Sequence, residues 1–158
     1  MGNSLHIPVA VVLEKKIVQG KGWSVPQWNV VGVLGGEHSG SEVSKPVLVR
    51  EEGDQYLWRG YRLNLYLDSC ESYWHNLTGE LPSLFVICTE TEKGGMQPLI
   101  VTADGLEASA STEGDDKVFR APIPPDIYRC IEKFVVENFV PRERKKRKRR
   151  SWTEGDPS

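Results

Sequence analysis

Tyr61-Arg-Leu-Asn-Leu-Tyr-Leu-Asp68 alternates strictly between apolar or aromatic and mostly polar side chains. Tyr61, Leu63, Leu65 and Leu67 share one parity, and Arg62, Asn64, Tyr66 and Asp68 share the other. Successive side chains of a strand point to opposite faces of a sheet, so this alternation describes a strand with one face on a core and one in water. Upstream, Tyr56 and Trp58 have the opposite parity to Tyr61. Gly60 lies between them, where a bulge or tight turn resets the register. Residues 55–68 therefore read as one bulged strand or a hairpin.

Working outward toward the N-terminus, His6 to Leu13 reads as a strand bounded by Lys15-Lys16, with Pro8 near its start, as on an edge. A polar, glycine-containing stretch follows through Gly22. The β-branched run Trp28 to Leu34 is too short for a helix and ends at Gly35-Gly36. Residues 37–44 form a polar loop, and 46–49 a short strand. Toward the C-terminus, Asp68 or Ser69 with Glu71 resembles a capping arrangement for a short helix over 71–77, stopped by Gly79 and Pro82. Leu84 to Cys88 and Pro98 to Ala103 read as strands. Gly105 to Asp116 is small and acidic, an exposed loop with a strand fragment at 106–110. Val118-Phe119 returns to the core. Pro124-Pro125 opens a helix over 125–139, in which Ile127, Cys130, Ile131, Phe134 and Val135 follow helical spacing. The expected fold is α+β: a mainly antiparallel bent sheet or partly open barrel, with a short helix and a packed C-terminal helix. The expected organisation is one globular domain over 5–140 and a basic, disordered tail over 141–158.

The chain has 158 residues and is 39% hydrophobic, enough for one real core and far from the composition of a disordered or membrane protein. No run approaches the ~18 apolar residues of a spanning helix. Residues 1–12 have neither the basic start nor the small-residue cleavage site of a signal peptide, so the expected compartment is the cytoplasm. The three cysteines, Cys70, Cys88 and Cys130, are odd in number and contain no Cys-x-x-Cys pair. They read as buried or half-buried thiols in a reducing compartment rather than as a disulfide or metal framework.

The sequence carries no recognisable catalytic motif. His6, His38 and His75 are isolated from one another, and no Gly-x-Ser-x-Gly elbow occurs. Glu51-Glu52, Asp54 and Asp115-Asp116 read as solvated charge. Gly32-x-x-Gly35-Gly36 follows a strand, but it lacks the Lys-Ser/Thr of a phosphate loop and no helix follows it. The expectation is a non-enzymatic protein with no catalytic residues, no metal site and no bound cofactor.

Charge is distributed unevenly. Arg142, Arg144, Lys145, Lys146, Arg147, Lys148, Arg149 and Arg150 stand against a single acid, Glu143, in a segment of net +7. Residues 1–141 carry 12 basic and 19 acidic residues, a net of −7. Such a run can neutralise phosphates or meet anionic lipid headgroups. It contains no stacking aromatics, and the acidic body opposes a nucleic-acid footprint. It is read here as a docking arm for a protein partner, ahead of a solvated tail that keeps the protein soluble and of a nucleic-acid contact.

Several stretches, in order, also carry a resemblance: "IPVAVVLEKK", "WSVPQWNVVGVL", "YRLNLYLDSCESYWHNLTGELPSLFVIC", "PLIVTADGLEAS", "IYRCIEKFVVENFVP" and "KKRKRR". Together they resemble a proteobacterial family of uncharacterised proteins encoded beside formate dehydrogenase genes. Some members are labelled molybdopterin-guanine dinucleotide biosynthesis protein A. The resemblance covers nearly all of 6–150. It implies an accessory role in assembly or maturation of a molybdenum-dependent formate dehydrogenase, with one of its subunits or a maturation factor as partner. The alternative it implies is handling of the molybdenum cofactor or a nucleotide. Arg59 and Arg62, with Lys93 or Arg120, are then the candidates to hold the anionic ligand. The nucleotidyltransferases of that label follow their first strand with a Gly-rich nucleotide loop, whereas this chain continues Glu14-Lys15-Lys16-Ile17. The resemblance brings no catalytic residues with it.

Overall fold

A computed structural model of the chain describes residues 4–36, 45–50, 53–92, 95–112 and 114–139. The expected polar loop at 37–44 lies outside them. Ser4–Gly20 forms β1 and Trp23–Gly35 forms β2. They make a long antiparallel hairpin, from Val9 opposite Gly35 to Gly20 opposite Trp23. Its turn uses Gly22 at φ 76°, a conformation that costs a glycine little. Both strands run further toward this turn than the expected 6–13 and 28–34. The reason is physical: apolar alternation marks only the half of a strand that meets a core, and beyond Lys15 these strands are wet on both faces.

Lys45–Arg50 forms β3 and Gly53–Tyr66 forms β4. β4 pairs with β1 from Tyr66 opposite Ser4 to Asp54 opposite Lys15, and β3 lies on its other edge at residues 53–57. The β1–β4 register slips between Val9 and Val11, leaving Ala10 alone against Arg59 and Gly60. Gly60 has φ 88°, so the bulge expected there is present. It brings Trp58 and Tyr61, three residues apart, onto the same core. Leu63 and Leu65 are fully buried while Arg62 and Tyr66 are exposed, as the alternation requires.

A 3₁₀ turn at Leu67–Ser69 leads into α1, Cys70–Thr78. The helix is where the sequence places it, and of the two expected caps, Asp68 and Ser69, Ser69 takes the position. It makes no side-chain bond, so no capping box forms with Glu71. The next elements are β5 (Ser83–Glu90) and β6 (Met96–Thr102), then α2 (Gly105–Ser111), β7 (Lys117–Pro122) and α3 (Pro125–Asn138). α2 corrects the expected loop and strand fragment at 105–116. The Asp104 carboxylate accepts from the backbone N–H groups of Leu106 and Glu107, fixing a helical start that outweighs the small, polar composition.

The sheet runs β2-β1-β4-β6-β5-β7, with β3 beside β4. Every pairing is antiparallel except β4–β6, which meets in parallel at Leu63 and Val101. The two ends of the path, β2 and β7, lie against each other, so the curved sheet is nearly closed into a barrel. The fold is α+β. α3 buries Ile127, Ile131, Phe134 and Val135, and its first turn holds Pro125. It passes so close to β2 that a Cβ added at Gly35 would stand 3.3 Å from Ile127. α1 packs beside α3, with the Tyr73 and Phe134 rings edge-on at 6.4 Å. Cys130, expected on the buried stripe, is exposed.

Candidate functional site

Two surface features stand out from this frame. The first is the outer half of the β1–β2 hairpin. Beyond Lys15, β1 is paired only with β2 among the described residues, so 16–27 form a two-stranded arm extending past the end of β4. Opposed residues share a face of the ribbon. Val18 opposes Val25 and Gly20 opposes Trp23, which makes one continuous apolar strip, with the Trp23 ring lying directly over Gly20. Ile17 opposes Pro26 on the reverse face, beside Trp28, whose ring has the Lys15 ammonium 5.8 Å from its centroid. Ile17 and Trp23 are each 54% exposed and Val25 46%. Large apolar side chains gathered on a protruding ribbon mark a contact surface more than scattered exposed leucines do.

The second feature is a cleft of about 720 Å³ between α1, the 79–81 connection, α2 and the end of β7. Its walls are acidic. Asp68 and Glu71 come from the start of α1, Glu80 from the connection and Asp104 from the cap of α2. Leu81, Phe85 and Leu106 give it apolar ground. Asp104 also accepts from the Ser72 hydroxyl at 2.5 Å, which ties α2 to α1. Asn76 ties α1 to the sheet: its amide donates to the carbonyls of Ser83 and Ala103, and its carbonyl accepts from the Ser83 N–H. Arg120 is the cation in the cleft. Its guanidinium is held in place, donating to the Leu81 carbonyl at 2.9 Å and to the Ser83 hydroxyl at 3.3 Å, over the Phe85 ring.

Of the described residues expected to hold an anionic ligand, Arg120 alone lines this cleft. Arg62 is exposed on β4 opposite Pro8, and Arg59 is half-buried at the bulge. Neither lines the cleft that Arg120 enters. Lys93, His38, Glu51-Glu52 and the whole basic run 142–150 lie outside the described residues. His6 is engaged by Asn64 at 2.5 Å, and His75 stands 3.6 Å from Glu71 on the cleft wall. Among the described residues no group of three His, Cys, Asp or Glu side chains is placed to hold a metal ion. Nor is any helix among them long and apolar enough to cross a membrane.

Neither the arm nor the cleft is singled out by the sequence. For the arm a signal existed: Lys21-Gly22 separates two stretches with β-branched residues, Ile17-Val18 and Val25, the pattern of a two-residue hairpin loop. The cleft walls come from segments scattered over 68–120, which no local pattern connects.

A curved mixed sheet with a helical flank, an acidic cleft and a projecting apolar arm defines a small α+β domain. The chain belongs to the family described as protein of unknown function (DUF3305), whose model matches residues 8–149. That match reaches from the first strand into the basic run. Comparison with curated proteins and with solved structures gives no match.

Proposed function

We propose that this protein is a non-enzymatic accessory protein that works in the cytoplasm by binding another protein, and that its partner is a molybdenum-dependent formate dehydrogenase subunit or a factor that matures it. The observation that carries the reading is the arm, where Ile17, Trp23 and Val25 are about half exposed on a ribbon that buries nothing of its own core. The choice of partner is supported by the sequence resemblance to proteins encoded beside formate dehydrogenase genes. The basic run from Arg142 to Arg150 supplies a second, charge-driven contact that speeds encounter more than it holds the complex.

The test is a titration of the purified full chain against a molybdenum-dependent formate dehydrogenase and its maturation factors. The native chain binds one of them. Trp23→Ala and Ile17→Ser weaken that binding about tenfold or more, because a buried aromatic anchor at an interface contributes about 2 kcal/mol. Both variants melt at the native temperature, since neither side chain is buried in the free protein. Absence of binding to every one of these partners, or full binding by both arm variants, overturns the proposal.

A further inference from the structure

The acidic cleft and the basic run carry opposite charge, and the described chain ends beside the helix that walls the cleft. Asp68, Glu71, Glu80 and Asp104 outnumber Arg120 on the cleft walls, and the hydrogen bonds of Arg120 turn its charge back toward Leu81 and Ser83. Leu81 is 65% and Leu106 74% exposed at the rim, ground on which the alkyl stems of lysine and arginine can lie. The described chain ends at Phe139, which shares a small hollow with Trp74 of α1 and with Val135 and Val136. Trp74 lies between Glu71 and His75 in sequence, and both of these line the acidic cleft. The chain therefore leaves α3 beside the helix that forms the cleft wall.

The distances suffice. Arg142 is three residues past Phe139, and Arg150 is eleven, a reach of roughly 10 to 40 Å for extended chain. The nine residues of α1 span only about 13 Å. Trp152, two residues past the basic run, has an extended reach of about 45 Å from Phe139 and can cover the apolar ground near Phe85 and Leu106. A tether this short holds the segment at an effective concentration on the order of millimolar, so a contact too weak to form between separate molecules is populated within one.

We propose that the acidic cleft is the resting site of the chain's own basic segment, Arg142–Arg150, docked in the same molecule. The contact offsets the −7 charge of the body in the free protein and leaves the arm uncovered. It does not depend on the identity of any partner.

The test uses the full chain alone. A nitroxide is attached through Ser151→Cys in a Cys130→Ser background, where the two remaining thiols are buried. Amide resonances of 70–78 and 104–109 lose most of their intensity at low salt. They recover at about 0.5 M salt, where charge pairs more than a few Å apart are screened. Glu71→Gln combined with Glu80→Gln restores the same resonances at low salt without changing the melting temperature. Mixing nitroxide-bearing chains with isotope-labelled chains that lack the nitroxide gives no broadening. Broadening only in the mixed sample would assign the cleft to a second copy and overturn the proposal. So would broadening elsewhere on the surface, broadening that ignores salt or the glutamine variants, or no broadening at all.

Discussion

Gly60 shows how much one residue decides. Its φ of 88° lies in the left-handed region where a Cβ collides with the following carbonyl, so an L side chain there is strained by roughly 1–2 kcal/mol. The parity break between Trp58 and Tyr61 makes this bulge legible in the sequence. The thiols are less legible. On α3, helical spacing admits Cys130 beside Ile127 and Ile131, but the buried stripe is 127, 131, 134 and 135, and Cys130 falls at its edge in water. Cys88 is fully buried on β5, and burial, with Asp116 nearby, pushes its thiol up to about 12. Burial raises that of Cys70 as well. Unfolded thiols ionise at about 8.5. The folded state therefore keeps protons that the unfolded state loses, and the contribution of Cys88 is complete below pH about 8.5 and declines from there toward about 12. The expected slope from Cys88 approaches ~1.4 kcal/mol per pH unit across that range. Denaturant unfolding between pH 8 and 11 checks this: in Cys88→Ala the decline is shallower than in the native chain. Equal slopes would mean that Cys88 ionises as freely folded as unfolded.

At the scale of elements, α2 is the instructive one. Residues 105–116 look like an exposed loop because Gly, Ser, Ala and Asp dominate them. Yet Asp104-Gly-Leu-Glu107 has an acceptor at the capping position and an acid three residues on, the arrangement that starts a helix. The sequence suggests such a start at Asp68–Glu71, where the structure makes none, because the chain there leaves a strand through a 3₁₀ turn that already directs it. Asp104→Ala removes the acceptor for two backbone N–H groups and for Ser72 at once. A cost of about 1–2 kcal/mol is expected in chemical denaturation, from the ordinary worth of a cap plus one charged hydrogen bond. Amide exchange in 105–111 accelerates with it. Asp104→Asn, which keeps an acceptor oxygen, retains most of the stability, and failure of that rescue would show that the charge rather than the cap matters.

At the scale of the molecule, stability is uneven. β4 and β5 lie inside the sheet, whereas 16–27 are held only by each other and by exposed side chains. Amide exchange should therefore be at least about a hundredfold faster in 16–27 than in 61–66 or 84–88, because local opening of the arm exposes little apolar surface. Equal protection would mean that the arm is covered in solution. The α+β class, the bulged central strand, the positions of α1 and α3 and the separation of an acidic body from a basic run can all be read before the chain is folded. These rest on periodicity and composition, which a chain carries locally. The curl that brings β7 against β2, the length of the arm and the cleft arise only in the folded chain. Curl follows from strands that are distant in sequence, and the arm's second half has no core to impress a pattern on it. The cleft gathers Asp68, Glu80, Asp104 and Arg120 by packing α1 and α2 around the end of β5, a long-range fact that no local spacing encodes.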